Sequence, residues 1–178
     1  MNAAVPSLPA TAHIGLGANL GDAAATLAQA LQALHDWPGV QVQAVSGLYR
    51  SAPVDAGGPD FLNAAAALHT TLDAAALLAV LHALEARAGR TRPFVNAPRT
   101  LDLDLLDHGG QVVCTPGLTL PHPRLHRRRF VLEPLADIAP DLRVAGQGRV
   151  TDLLAAVAEQ AVERVAAGDA WRQLARRA

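Results

Sequence analysis

The sequence predicts an α+β fold, a ferredoxin-like antiparallel sheet with helices packed on its faces. Three observations carry this. Strand-like stretches, above all 60–70 and the period-two run at 100–106, are interleaved with two helical stretches that each follow an aspartate, Asp22 and Asp73. The strands near 50 and 60 are joined by a Pro/Gly loop rather than a helix, which favours antiparallel pairing. No internal repeat or linker divides the 178 residues, so one domain with a substantial core is expected over 1–178.

Each element has its own signal. Residues 1–11 are rich in Pro and Ala and read as a loose leader. Residues 12–17 form a first strand ending in Gly15-Leu16-Gly17. Asp22 caps a helix over 23–36, which stops at Trp37-Pro38-Gly39. A strand over 40–50 leads into a loop over Ser51–Pro59, where turn residues cluster. The strand at 60–70 puts Phe61, Asn63 and Ala65 on one face. Asp73 caps a second helix reaching Ala88. After the strand at 100–106, His108-Gly109-Gly110 turns the chain into a short strand at 111–114. Leu132–Ile138 and Leu153–Ala166 read as short helices, and 169–178 as a polar tail. The last part, 150–178, is thus a helical tail.

Composition excludes several chemistries. Net charge is −1, which argues against a general nucleic-acid binder. All 15 basic residues are arginine, so no lysine can serve as nucleophile, Schiff base or P-loop residue. A single cysteine, Cys114, rules out an intrachain disulfide and a cysteine-rich zinc site. No apolar run reaches membrane-spanning length and the N-terminus lacks a signal-peptide pattern, so a soluble, cytoplasmic chain is expected.

The stretch Arg99–Leu106 carries the strongest chemical signal. On a strand, Leu101, Leu103 and Leu105 share one face and Thr100, Asp102 and Asp104 the other. Carboxylates two residues apart lie roughly 7 Å from each other and repel, so they call for a cation or a raised pKa. A hard divalent ion with oxygen ligands, Mg²⁺ above all, answers that need. Arginines crowd both flanks, at 90, 92 and 99 and again within Arg124–Arg129. Guanidinium forks suit phosphate oxygens, so acids and arginines together suit a metal plus a polyanion. The loop Gly89–Pro98 is long for a helix-to-strand connection and reads as a lid. Gly15-Leu16-Gly17-Ala18-Asn19-Leu20-Gly21 is out of register for G-x-G-x-x-G and reads as a tight strand-to-helix turn. His122 and His126 stand four apart, but Pro121 and Pro123 argue against a helix that would pair them on a metal and suit phosphate contact or plain surface better. These residues fit a phosphoryl-transferring enzyme, a two-metal nucleotidyl transferase, or a ferredoxin-like binding module whose acids hold nothing.

Several stretches taken together resemble the hydroxymethyl-dihydropterin pyrophosphokinases of folate biosynthesis. They are Gly15–Asp22, Leu48–Pro53, Asp60–Ala64, Glu85 with Gly89–Arg92, Pro98–Leu106, Leu120–Arg124, Arg128 with Phe130, and Pro134–Pro140, within a core of about 12–142. The resemblance implies an enzyme that moves the pyrophosphoryl group of ATP to 6-hydroxymethyl-7,8-dihydropterin and releases AMP. By position, Asp102 and Asp104 would hold two Mg²⁺ ions. Arg90, Arg92, Arg99, His122 and Arg128 would contact the ATP phosphates, with Arg90 and Arg99 acting in catalysis. Thr119, His126 and Glu85 would lie near the nucleotide. Phe61 and Phe130 would stack on the pterin, Asn63 would bond its edge, and Ser51, Ala52 and Val54 would line its pocket. No nucleic acid, membrane or second subunit is implied, so a monomer is expected. The sequence departs from the family pattern at Asn96 and Val95, where an aromatic and a basic residue are usual, and the Arg92–Pro98 loop is one residue short.

Overall fold

The computed structural model of the chain describes residues 9–54, 58–89, 100–168 and 170–176. Strand β1 (Ala10–Ala18) runs through the middle of the sheet. Ala12, Ile14, Leu16 and Ala18 point into one core, which leaves His13, Gly15 and Gly17 on the opposite face. Helix α1 (Ala23–His35) follows, and Asp22 caps it by accepting the Ala25 N–H at 3.0 Å. Its Leu27, Leu31 and Leu34 recur at helical spacing and are fully buried.

The stretch 40–50 is two strands rather than one, β2 (Val40–Val45) and β3 (Leu48–Ser51). Both lie along the same edge of β4 (Phe61–Thr70). Ser46 and Gly47 make the break. Ser46 donates its N–H to the Ala65 carbonyl at 3.0 Å, and its Oγ accepts the Ala65 N–H at 2.9 Å. The hydroxyl thus replaces one ladder bond while the strand shifts. Helix α2 (Ala74–Arg87) starts at Asp73, whose carboxylate accepts the Ala76 N–H at 2.7 Å. It packs against β5 (Asp102–His108), the acid-bearing strand.

A hairpin of β6 (Val113–Thr115) and β7 (Leu118–Leu120) leans on β5, and Gly117 turns it at φ +90°. On it, the exposed Cys114 sits directly opposite Thr119. A 3-10 turn over Leu125–Arg127 leads to α3 (Arg129–Ile138), which begins earlier than the expected Leu132. A small hairpin, β8 (Arg143–Val144) with β9 (Gly148–Arg149), precedes α4 (Val150–Ala155).

The expected helix over Leu153–Ala166, and with it a helical tail from 150, is not what forms. Helix α4 ends at Ala155, and β10 (Glu163–Ala166) pairs antiparallel with β3. The alanine-rich sequence favours helix locally, but the outer edge of β3 offers unpaired backbone groups, and satisfying them prevails. A 3-10 segment, Ala170–Arg176, then seats Trp171 in the core, with its indole N–H donating to the Ser46 carbonyl at 3.0 Å.

The sheet runs β10-β3-β4-β1-β5, with β2 beside β4, and every pairing in it is antiparallel. The chain order β1-α1-β2/β3-β4-α2-β5 on this sheet is the expected ferredoxin-like arrangement. Helices α1 and α2 and Trp171 cover one face, and α3 and α4 cover part of the other. Among the described residues, no helix is long and apolar enough to cross a membrane.

Candidate active site

The site is built on the face of the sheet that α3 leaves partly open. Leu101, Leu103 and Leu105 are buried on the α1/α2 side, as the period-two pattern predicts, and Asp102 and Asp104 are half-buried on the other. The register of β5 against β1 puts Asp102 opposite Gly17 and Asp104 opposite Gly15. A Cβ on Gly17 would lie 3.6 Å from Asn63 Oδ1 and 4.0 Å from the Asp102 Cβ. The two glycines therefore keep the floor beside the acids open to a ligand. They are mid-strand residues, not the strand-to-helix turn the sequence suggests; that turn falls to Gly21, at φ +62°.

Asn63 borders the same floor from β4. It is buried, and its amide donates to Ser51 Oγ at 2.9 Å and to the Tyr49 carbonyl at 3.4 Å. These bonds fix the side chain beside Gly17 and Asp102, in a narrow cleft whose far wall is Phe130 and Val131 of α3. Phe130 is half-buried. It packs against the α3/α4 core, and the Arg128 guanidinium lies 5.5 Å above its ring centroid. Phe61 is half-buried at the start of β4, opposite Ser51.

On the other side of Asp104 lies a cavity of about 270 Å³. Leu78 and His82 of α2, Leu103 and Leu105 of β5, and Leu118 and Thr119 of the hairpin line it, and His122 closes one end. Asp104 borders both this cavity and the narrow cleft. His122 is held by its backbone N–H, which donates to the Leu106 carbonyl at 2.9 Å, and its Nε2 lies 3.8 Å from Asp104 Oδ1. Burial is the main reason its pKa lies below the ordinary imidazole value; Arg128 and Arg124 push the same way, and Asp104 and Asp102 oppose them.

The structure thus brings together Asp102, Asp104, Asn63, Phe130, Thr119 and His122. Ser51 supports Asn63 from beneath, while Ala52 and Val54 are exposed beyond the end of β3. His126 lies outside the cavity lining and accepts a hydrogen bond from Arg127 Nε at 3.0 Å. Glu85, assigned to the nucleotide by resemblance, is instead 3% exposed between α2 and β5, and its Oε1 accepts the Leu103 N–H at 2.7 Å. Arg90, Arg92 and Arg99 lie outside the described residues, as do Val95, Asn96 and the expected lid beyond Gly89. Sequence reading missed Leu78, His82 and the two floor glycines. A polar His82 one turn beyond Leu78 on an apolar helix is a faint signal, and the glycines become visible only through the register with β5.

Two half-buried carboxylates facing an open floor fit Mg²⁺ as oxygen donors. That ion keeps several waters and is commonly held by one or two carboxylates plus substrate phosphates. Among the described residues no cluster of three or more His, Cys, Asp or Glu stands ready to enclose a metal without such help.

Comparison with known proteins agrees with this geometry. Residues 13–140 match the model of the 7,8-dihydro-6-hydroxymethylpterin-pyrophosphokinase family. The chain is 44% identical over 155 residues to the 2-amino-4-hydroxy-6-hydroxymethyldihydropteridine pyrophosphokinase of Methylorubrum extorquens, covering 86% of this chain and 98% of that one. It is 42% identical over 154 residues to the Pseudomonas aeruginosa protein of the same name, covering 86% and 95% respectively. The fold is similar to that of Plasmodium falciparum HPPK-DHPS, with a TM-score of 0.69 at 13% identity; the match covers 84% of this chain and 44% of that longer one. With matched residues running from β1 through α3, and with the acid pair, floor glycines and buried amide gathered at one cleft, the chain belongs to the 7,8-dihydro-6-hydroxymethylpterin-pyrophosphokinase family.

Proposed function

We propose how this chain's residues share the work of its family's reaction, transfer of the pyrophosphoryl group of ATP to 6-hydroxymethyl-7,8-dihydropterin with release of AMP. One observation carries the assignment. Asp104 stands between a cavity of about 270 Å³ and a cleft bearing a buried amide and an aromatic ring. The cavity takes the nucleotide, with Leu78, Leu105 and Leu118 against the base and Thr119 and His122 toward the phosphates. The cleft takes the pterin. Asn63 bonds its polar edge, Phe130 and Phe61 flank its ring, and Gly15 and Gly17 leave space for it.

Asp102 and Asp104 would hold Mg²⁺, two ions in this reading, and the bound metal would neutralise phosphate charge and polarise the β-phosphorus. The hydroxymethyl oxygen attacks that phosphorus and gives up its proton to water, while the bond from the β-phosphorus to the oxygen bridging the α- and β-phosphates breaks. AMP departs with that oxygen. The protein's part is to align the two substrates and to present arginines to the phosphates. Arg128, whose guanidinium lies over the Phe130 ring, would be one of these, and by resemblance Arg90, Arg92 and Arg99 join it. His122 gives the phosphates a hydrogen bond. A monomer is inferred, because α1, α2 and Trp171 cover one face of the sheet and α3 and α4 part of the other.

Release of AMP from ATP, measured with and without hydroxymethyl-dihydropterin, tests the assignment. AMP that appears only with the pterin supports it. Transfer of AMP to an acceptor with release of pyrophosphate would replace it with nucleotidyl transfer.

A further inference from the structure

Glu85 is a buried carboxylate that the proposed reaction does not use. It is 3% exposed, on the inner side of α2, where it faces β5. Removing a carboxylate from water costs several kcal/mol unless hydrogen bonds compensate. One compensating bond is short: Oε1 accepts the Leu103 N–H at 2.7 Å. The place of that amide matters. Strand β5 ends the sheet order, and β1 lies along only one of its sides. An amide taken by α2 therefore points away from β1, toward an edge where no strand of the described residues accepts it. Leu103 is the residue between Asp102 and Asp104, and this N–H belongs to the peptide that joins Asp102 to Leu103. The Leu103 side chain is itself buried, so both parts of the residue are held.

We propose that Glu85 is a positioning residue for the acid pair. By gripping the Leu103 amide it sets the pitch of the edge strand, and with it the aim of Asp102 and Asp104 toward their cation. It does this without touching the nucleotide. The proposal rests on reading those two aspartates as metal ligands. What the role requires is an acceptor oxygen at this point, not a charge. Glu85→Gln keeps a carbonyl there, and Glu85→Met keeps the length and removes the acceptor.

The test uses the full chain and Mn²⁺ as the probe, with affinity measured by electron paramagnetic resonance in the presence of a non-hydrolysable ATP analogue. Groups that orient metal ligands typically cost about 10–100-fold in metal affinity when lost. Glu85→Met is expected to weaken Mn²⁺ binding by about tenfold or more and to raise the Mg²⁺ needed for half-maximal turnover in step. Glu85→Gln is expected to stay within about threefold of wild type on both, with the Leu103 amide equally protected from hydrogen exchange. Three results would overturn the proposal. In the first, Glu85→Gln loses as much as Glu85→Met, which would make the charge the active feature. In the second, Glu85→Met melts earlier yet binds Mn²⁺ unchanged, which would leave a purely structural role. In the third, Asp102→Ala binds Mn²⁺ as wild type does, which would remove the metal assignment itself. Should Glu85→Met fail to fold, Glu85→Asp, whose acceptor falls one methylene short of Leu103, takes its place with the same expected loss.

Discussion

Asp102 and Asp104 belong to neither apolar core, so either can be replaced without opening one. Asp102→Ala or Asp104→Ala is expected to abolish turnover while the melting temperature holds within a few degrees, as surface substitutions usually allow. Near-normal activity in Mg²⁺ would contradict their role as ligands. Gly17 makes a sharper probe of the floor. The Cβ of Gly17→Ala meets Asn63 Oδ1 at 3.6 Å, an ordinary contact that folding tolerates, but it fills space in the proposed pterin cleft. Pterin affinity should fall in calorimetry while ATP affinity stays. At Phe130 the ring serves the core and the cleft at once. Phe130→Leu keeps most of the apolar volume and removes the flat face. It should weaken pterin binding by roughly tenfold, about 1.4 kcal/mol, with little change in melting temperature. The reverse pattern would place the ring wholly in the core.

Between elements, one carboxylate ties three parts of the chain together. Asp137 of α3 accepts from the Gly47 N–H at 3.0 Å, the Tyr49 hydroxyl at 2.8 Å and Arg164 of β10 at 3.4 Å. Burial above all, then the bond to Asp137, pushes the Tyr49 pKa well up from its ordinary value. A tyrosine whose native pKa exceeds its unfolded one adds stability that is complete below about pH 10 and is lost as pH climbs from there. Tyr49→Phe should therefore cost about 1.5 kcal/mol in urea unfolding at neutral pH and flatten the decline above pH 10. The same junction explains what was hidden in the sequence. Asp22 and Asp73 announce their helices because a cap is a local device, and the alternation of 101–105 announces β5 for the same reason. The break at Ser46-Gly47 depends on Ala65, and β10 depends on the bare edge of β3, so neither can be read from its own neighbourhood. In the site, the acids and Asn63 were legible as side chains with a purpose. The floor glycines and the seat of Glu85 were not, because both are set by which residue faces which across β5.

Across the molecule, the C-terminal segment closes the main core. Trp171 is 4% exposed, packs with α1, and donates to the carbonyl at the β2/β3 break. Trp171→Ala should cost about 3–5 kcal/mol, lower the denaturant midpoint and loosen β2, β3 and α1 together in hydrogen exchange. The acid pair lies on the other side of the sheet, so the fraction that remains folded should keep its affinity for ATP.

The β6–β7 hairpin has a practical use. Its Cys114 is the chain's one thiol; it is exposed and sits across the hairpin from Thr119, which lines the proposed nucleotide cavity. A maleimide fluorophore would therefore attach at a single known point, a few ångströms from where ATP is expected to dock, with no engineered cysteine and no competing lysine. The emission of such a dye would report occupancy of that cavity in real time, and in a stopped-flow instrument it would time the arrival of ATP separately from that of the pterin.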